Sequence, residues 1–233
     1  LSGDLTQHAR TTEFEQARAL LDQLTGIRIV VPGNHDLSFY NPWRRVIQRL
    51  ALYKEYITTD LEPFHRDDEV AVLGLNTARV PLFRGGHFSR AQLGKLESHM
   101  RDVPQGITRI LVTHHPFDLP SSYPSAELVR GARRVMKRLL TSVDVMLAGH
   151  HHMSHSGATA ARYKIEGCSA VFVQAGTALS SRVRGEANSF NVLRIGGATM
   201  QIEVWGWNPD TKAFEQRVAS TFRRETGGWA TAA

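Results

Sequence analysis

Three apolar runs in this chain stop at residues that bind metals. Residues 143–148 run into Gly149-His150-His151-His152, residues 109–113 into His114-His115-Pro116, and residues 27–31 through Pro32 into Gly33-Asn34-His35-Asp36. The opening Leu1-Ser2 before Gly3-Asp4 repeats the pattern in shortened form. Short β-branched runs bounded by Gly or Pro read as strands. Ligand sites in open α/β sheets form beyond the carboxyl ends of strands. A carboxylate, an amide and several imidazoles gathered there make a mixed nitrogen and oxygen donor set. Such a set suits Mn, Fe, Zn or Ni better than Ca or Cu(I). The glycines before Asp4, Asn34 and His150 permit the sharp turns that aim these side chains inward.

The rest of the chain supplies the frame. Thr12 and Glu15 fit a capping box, and Phe14, Ala17, Leu20, Leu21 and Leu24 follow at helical spacing, with Gly26 as the C-terminal cap. A second helix is expected over 42–53, capped by Asn41. Residues 70–75 read as a buried strand. Ser89 and Gln92 form another capping box, opening a helix to about Met100. A further helix is expected over 125–140, with Leu128, Val129, Ala132, Val135, Met136 and Leu139 on its inner side. From about residue 170 the pattern changes. Residues 170–174, 189–195 and 200–207 read as strands with no helix between them, so hairpins are expected. The predicted fold is α/β: two packed mixed β-sheets flanked by helices, a four-layer α/β/β/α sandwich in a single domain over 1–233. The polar, Gly- and Ala-rich segment 223–233 is expected to fray. The first residues read as the end of a strand, so the domain is expected to be N-terminally incomplete.

Composition narrows the classes. With 42% apolar and 21% charged residues the chain is too rich in Leu, Ile, Val and Phe for disorder. No stretch approaches the roughly 20 apolar residues that span a bilayer. One cysteine, Cys168, excludes an internal disulfide framework and a Cys-rich zinc finger. No signal peptide opens the sequence, and a cytoplasmic location is expected. The net charge of +6 is mildly basic. The row Arg130, Arg133, Arg134, Lys137 and Arg138 reads as the solvent face of an amphipathic helix. His115, His151 and His155 are given no role.

Taken together and in order, Gly3-Asp4, Gly33-Asn34-His35-Asp36, His114 and Gly149-His150-His151-His152 resemble the calcineurin-like metallophosphoesterases. That family carries Asp-x-His, Gly-Asp, Gly-Asn-His-Asp/Glu, His and Gly-His-x-His. Leu5-Thr6 and Ala175-Gly176-Thr177-Ala178-Leu179-Ser180 resemble its bacterial branch, which is similar to cyclic-nucleotide phosphodiesterases and to DNA-repair exonuclease subunits. The resemblance implies Asp4 as a carboxylate bridging two metals. Asn34, His114 and His150 would complete one metal site, and His152 would ligate the other. It also implies His35 as the non-ligand histidine facing a scissile phosphate, with Asp36 orienting it. Two divalent transition metals are implied, drawn from Mn, Fe, Zn or Ni. The Asp-x-His motif is absent, so only one of the two sites is complete in this chain. His8, in a loop leading away into a helix, is a poor substitute.

The resemblance implies the expected function: hydrolysis of a small phosphodiester such as a cyclic nucleotide, by a metal-bridging hydroxide with His35 assisting. Arg182 and Arg184, in the loop after Gly176-Thr177, are candidate substrate-binding residues, because Arg binds phosphate bidentately. A DNA-repair-type nuclease is the second reading, with nucleic acid as partner. A non-catalytic metal-binding scaffold is the third, prompted by the missing motif. No membrane partner is expected, and the oligomeric state is left open.

Overall fold

A computed structural model describes residues 1–38, 49–79, 85–120, 122–124, 127–180 and 186–232. Four helices are named here: α1 (Thr11–Leu21), α2 (Ala51–Tyr56), α3 (Arg90–Arg101) and α4 (Ala132–Ser142). The strands of the first sheet are β1 (Phe64–Arg66), β2 (Val70–Gly74), β3 (Thr108–Val112), β4 (Val145–Ala148), β5 (His155–Ala158) and β6 (Val171–Gln174). Those of the second are β7 (Ser189–Gly196), β8 (Thr199–Asn208), β9 (Ala213–Glu225) and β10 (Gly228–Thr231).

Period-two alternation divides the first sheet into two apolar faces. Ala71, Leu73, Leu111, Met146 and Phe172 point one way, into a cluster with Leu93, Leu96 and Met100 of α3 and Val135, Met136 and Leu139 of α4. Ile110, Val112, Val145, Val171 and Val173 point the other way and meet Met200, Ile202, Phe222 and Trp229 of the second sheet. Strands buried on both faces read as continuous apolar runs, as these do. The first sheet runs β1-β2-β3-β4-β6-β5. Its central ladders β2–β3, β3–β4 and β4–β6 are parallel, so the carboxyl ends of β3 and β4 lie at one edge. The edge strands β1 and β5 are antiparallel. The second sheet runs β10-β9-β8-β7, antiparallel at each ladder described. The result is two packed sheets flanked by helices, an α/β/β/α sandwich of the expected kind. A third cluster joins Phe14 of α1 and Tyr53 of α2 to Val30, Leu37 and Ala78.

Local signals explain the helix starts unevenly. At α3 the Gln92 amide donates to Ser89 Oγ (3.2 Å) and the Ser89 amide to Gln92 Oε1 (3.1 Å), the expected capping box. At α1 the start lies upstream of the Thr12 cap. Glu13, not Glu15, accepts the amides of Arg10 (3.1 Å) and His8 (2.9 Å). The expected 125–140 helix begins only at Ala132, because residues upstream are held elsewhere. The Arg130 amide donates to Gly86 O (2.9 Å) and the Val129 amide to Pro116 O (2.8 Å). Gly131, at φ 98°, then turns the chain into α4. Arg133, Arg134, Lys137 and Arg138 line its exposed face, and Arg138 pairs with Glu97 of α3. Of the expected 42–53 helix, Asn41 and residues 42–48 lie outside the described residues. The strand expected over 27–31 is not formed as part of either sheet; these residues are bonded to Leu1 instead, whose amino group donates to Ile29 O (2.7 Å) and whose carbonyl accepts the Val31 amide (3.1 Å).

The expectation of a frayed tail fails. Residues 213–231 form the β9–β10 hairpin, and Trp229 is 1% exposed between the sheets. Asp144, buried at the head of β4, ties this hairpin down. Its Oδ2 accepts the Arg109 amide (2.8 Å) and Nε–H (3.1 Å). Its Oδ1 accepts Trp229 Nε1–H (3.4 Å) and lies 3.3 Å from Arg224 Nη2. Among the described residues no helix is long and apolar enough to cross a membrane.

Candidate metal centre

Two glycines let two loops touch. A Cβ on Gly3 would lie 2.6 Å from Gly33 N and 2.8 Å from His114 Nδ1, and one on Gly33 would collide with the Asp4 carboxylate and amide. Asp4 follows at φ 55°, and its Oδ1 accepts the His35 amide (2.9 Å). That leaves Asp4 Oδ2 3.4 Å from His114 Nε2.

His114 is buried at the end of β3. Its Nδ1 lies 2.7 Å from Ser2 O. A carbonyl can only accept, so Nδ1 carries the proton and Nε2 turns a lone pair inward. That Nε2 is 2.9 Å from Asn34 Oδ1 and 3.2 Å from His150 Nδ1, and the latter two atoms are 3.0 Å apart. Two acceptors at 2.9 Å are stable only with a proton or a cation between them. Asp4, Asn34, His114 and His150, named from the sequence, are thus brought together. His150 (φ 81°), His152 (φ 60°) and Asp4 share the left-handed backbone that costs a non-glycine residue about 1–3 kcal/mol and collects at functional sites. Gly149 makes the β4 exit possible: a Cβ there would press on Ser2 O at 2.9 Å.

Asp36 does not have the role expected of it. Its Oδ1 accepts the amide (2.9 Å) and hydroxyl (3.1 Å) of Thr6, and its Oδ2 accepts the Gly33 amide (2.9 Å). It braces the two loops rather than orienting His35. Burial, and then the Asp4 charge, push its carboxyl up to about 7. The His35 ring is instead held by Gln7, with Nδ1 2.9 Å from the Gln7 carbonyl oxygen and 3.1 Å from its Nε2. Arg182 and Arg184 lie outside the described residues.

The sequence reading passed over His115. It is 1% exposed, with Nδ1 2.9 Å from Thr77 Oγ1. Burial first, and then the neighbouring imidazoles of His114, His150 and His151, hold its pKa well below the ordinary value, so the ring is neutral. Ligand atoms of His114, His115 and His150 all lie within 4.8 Å of one another. Among the described residues this is the one group of three His, Cys, Asp or Glu side chains close enough to share an ion.

That finding corrects the expected activity. Hydrolysis by a metal-bridging hydroxide needs two ions about 3.5–4 Å apart. The described residues assemble donors for one centre, and no second group of three forms around His152. The geometry therefore does not carry phosphodiester hydrolysis, a cyclic-nucleotide substrate or the label of hydrolase. The fold and the metal-binding character stand.

Comparison with curated protein sequences gives no match. Among solved structures, the chain is similar to Vacuolar Protein Sorting 29 from Cryptosporidium parvum, at 15% identity and a TM-score of 0.43, covering 89% of this chain and 76% of that one. It is similar to Vps29 from Entamoeba histolytica complexed with Zn²⁺, at 15% identity and a TM-score of 0.27, covering 63% and 97%. It is also similar to a Staphylococcus aureus protein described as a 5′-nucleotidase and solved with α-ketoglutarate, at 16% identity and a TM-score of 0.35. That match covers 71% of this chain and spans only 29% of the other. The sequence pattern of the calcineurin-like phosphoesterases matches residues 1–154, the segment that carries Asp4, Asn34, His114, His150 and His152, and the chain belongs to the calcineurin-like phosphoesterase family.

Proposed function

We propose that this chain is a metal-binding scaffold, holding one divalent transition ion and turning over no phosphodiester. The observation that carries the reading is the convergence of Asn34 Oδ1, His114 Nε2 and His150 Nδ1 within 3.2 Å of one another, beside Asp4, with no second donor cluster among the described residues. Asp4, Asn34, His114 and His150 would hold the ion. Their donor set of two imidazoles, an amide oxygen and a carboxylate fits Mn, Fe, Zn or Ni. The ion would supply positive charge where acceptors otherwise face each other. Its work is structural: the four ligands sit on four separate loops, around residues 2–4, 33–36, 113–115 and 149–152. Joining them fixes one edge of the sandwich as a rigid platform. His35, with no reaction to assist, ties the 33–36 loop to Gln7.

The test is a metal count beside an activity assay. Protein dialysed against Zn²⁺ or Mn²⁺ is expected to hold one ion per chain. It should melt at higher temperature than chelator-treated protein, since a ligand that binds only the native state stabilises it. It should not cleave a chromogenic phosphodiester above the rate of the buffer with metal. Two ions per chain together with turnover refute the proposal.

A further inference from the structure

We propose that His115 is itself a ligand of this ion, so that the centre presents three imidazoles, His114, His115 and His150, with Asp4 and Asn34 supplying oxygen. The inference rests on the single-ion reading above and deepens it.

The rings have the right spacing. Their centroids are 4.8 Å apart for His114 and His115, 5.1 Å for His114 and His150, and 4.7 Å for His115 and His150. An imidazole bound through nitrogen at about 2.0–2.1 Å puts its ring centre roughly 3.2 Å from the ion. Two such rings subtending about 90–109° are then separated by about 4.5–5.2 Å. All three observed separations fall in that interval, and the donor atoms lie within 4.8 Å of one another, so small ring rotations would bring them onto one ion.

The rings are also held from behind in the same way. His114 Nδ1 is tied to Ser2 O and His115 Nδ1 to Thr77 Oγ1. Metal-binding histidines characteristically give their other ring nitrogen to an oxygen, which fixes ring orientation; the Ser2 carbonyl also fixes the tautomer of His114, whereas the Thr77 hydroxyl takes either role toward His115. Gly86 leaves room for this ring: a Cβ there would run into the His115 imidazole and the Thr77 carbonyl. What remains is His115 Nε2, which is buried without a hydrogen-bond partner. Buried polar side-chain atoms are normally paired, and an exception calls for an explanation such as an ion. A third nitrogen also changes selectivity. Three imidazoles favour Zn²⁺, Co²⁺ or Ni²⁺, whereas a site of mostly oxygen donors accepts Mn²⁺ or Mg²⁺ readily.

The experiment uses Co²⁺ as the probe on the whole chain. Each imidazole bound to Co²⁺ gives one strongly shifted, solvent-exchangeable N–H signal in the proton NMR spectrum. The intact protein is expected to show three such signals and His115→Gln two. Co²⁺ affinity should fall in His115→Gln by at least the roughly 10–100-fold that follows from losing a ligand's hydrogen-bond partner alone. Two signals in the intact protein, with Co²⁺ affinity unchanged in His115→Gln, overturn the role of His115 and leave the single-ion reading standing. No Co²⁺ binding by the intact protein overturns both. The count in the intact protein decides the matter even if His115→Gln fails to fold.

Discussion

Replacing Trp229 by alanine tests whether the last hairpin closes the core. The ring is buried among Val145, Val171, Met200, Ile202 and Phe222. Its indole N–H reaches Asp144 at 3.4 Å, and the Arg224 guanidinium sits 4.9 Å from its centroid. Truncating a buried tryptophan costs about 3–5 kcal/mol through lost transfer energy and an unfilled cavity. Loss of the cation–π contact at this partly exposed arginine adds about 0.5–1 kcal/mol. In a domain of this size each kcal/mol moves Tm by roughly 2–4 °C, so Trp229→Ala is expected to melt about 7–24 °C below the parent. The assay is thermal unfolding followed by circular dichroism, at one metal concentration for both proteins. Val218→Ala, on the same strand pair but 56% exposed, is the control and should shift Tm little. A frayed segment would tolerate either change within about 0.5 kcal/mol. A Trp229→Ala shift below about 2 °C would therefore refute the docking described for β10.

Two further outcomes are expected. Gly33→Ala places a methyl against Asp4, so metal affinity should drop at least about tenfold and stability by about 1–3 kcal/mol, the usual penalty of overpacking. Isothermal titration with Zn²⁺ checks this, and unchanged affinity would show that the Asp4 loop is not braced by Gly33. Asp118 is buried beside Arg162 (Nε to Oδ1, 2.9 Å), and desolvation nonetheless pushes its carboxyl up to about 6. A raised carboxyl pKa means the native state holds the proton more tightly than the unfolded one. Stability should then fall as pH rises from about 4 to 6, by about 2–3 kcal/mol from this group, and level off above. Asp118→Asn should flatten that segment of a plot of urea midpoint against pH; an unaltered slope would exclude Asp118 as its source.

The parts of this molecule that read clearly from sequence are those set by neighbours in the chain. The alternating faces of β3, β4 and β6, the Ser89–Gln92 cap and the strand-end turns with their glycines are all local. Because the central ladders are parallel, strand-end residues distant in sequence meet at one edge, and the proximity of His114 and His150 follows. What was not legible depends on distant partners. His115 follows directly on His114, and adjacent residues of a strand point to opposite faces. Its inward turn is made by Thr77 and Gly86, and by a bend in which Thr113 Oγ1 donates to the His115 carbonyl (2.9 Å). The late start of α4 is imposed by residues 86 and 116. The β9–β10 hairpin was hidden by its charges: Arg217, Arg223, Arg224 and Glu225 suggest a solvated tail, while only a few inward residues, Phe222 and Trp229 foremost, reveal the core. Gly227-Gly228 after Thr226 was the available turn signal. The second metal site was expected to be incomplete, and among the described residues one group of three histidines forms.

The Asp144 tie also has a consequence for how the protein is born. It links residue 144 to residues 224 and 229, and the apolar face above it is completed only by Phe222 and Trp229. About 57 residues separate the end of β6 from the end of β10. At about 5–20 residues per second, a ribosome needs roughly 3–11 s to make them. Until they are complete, Ile110, Val112, Val145, Val171 and Val173 have only Met200 and Ile202 of β8 to pack against, and Asp144 lacks two of its partners. The last hairpin is therefore both the final piece of the core to be made and the one that completes the contacts of Asp144.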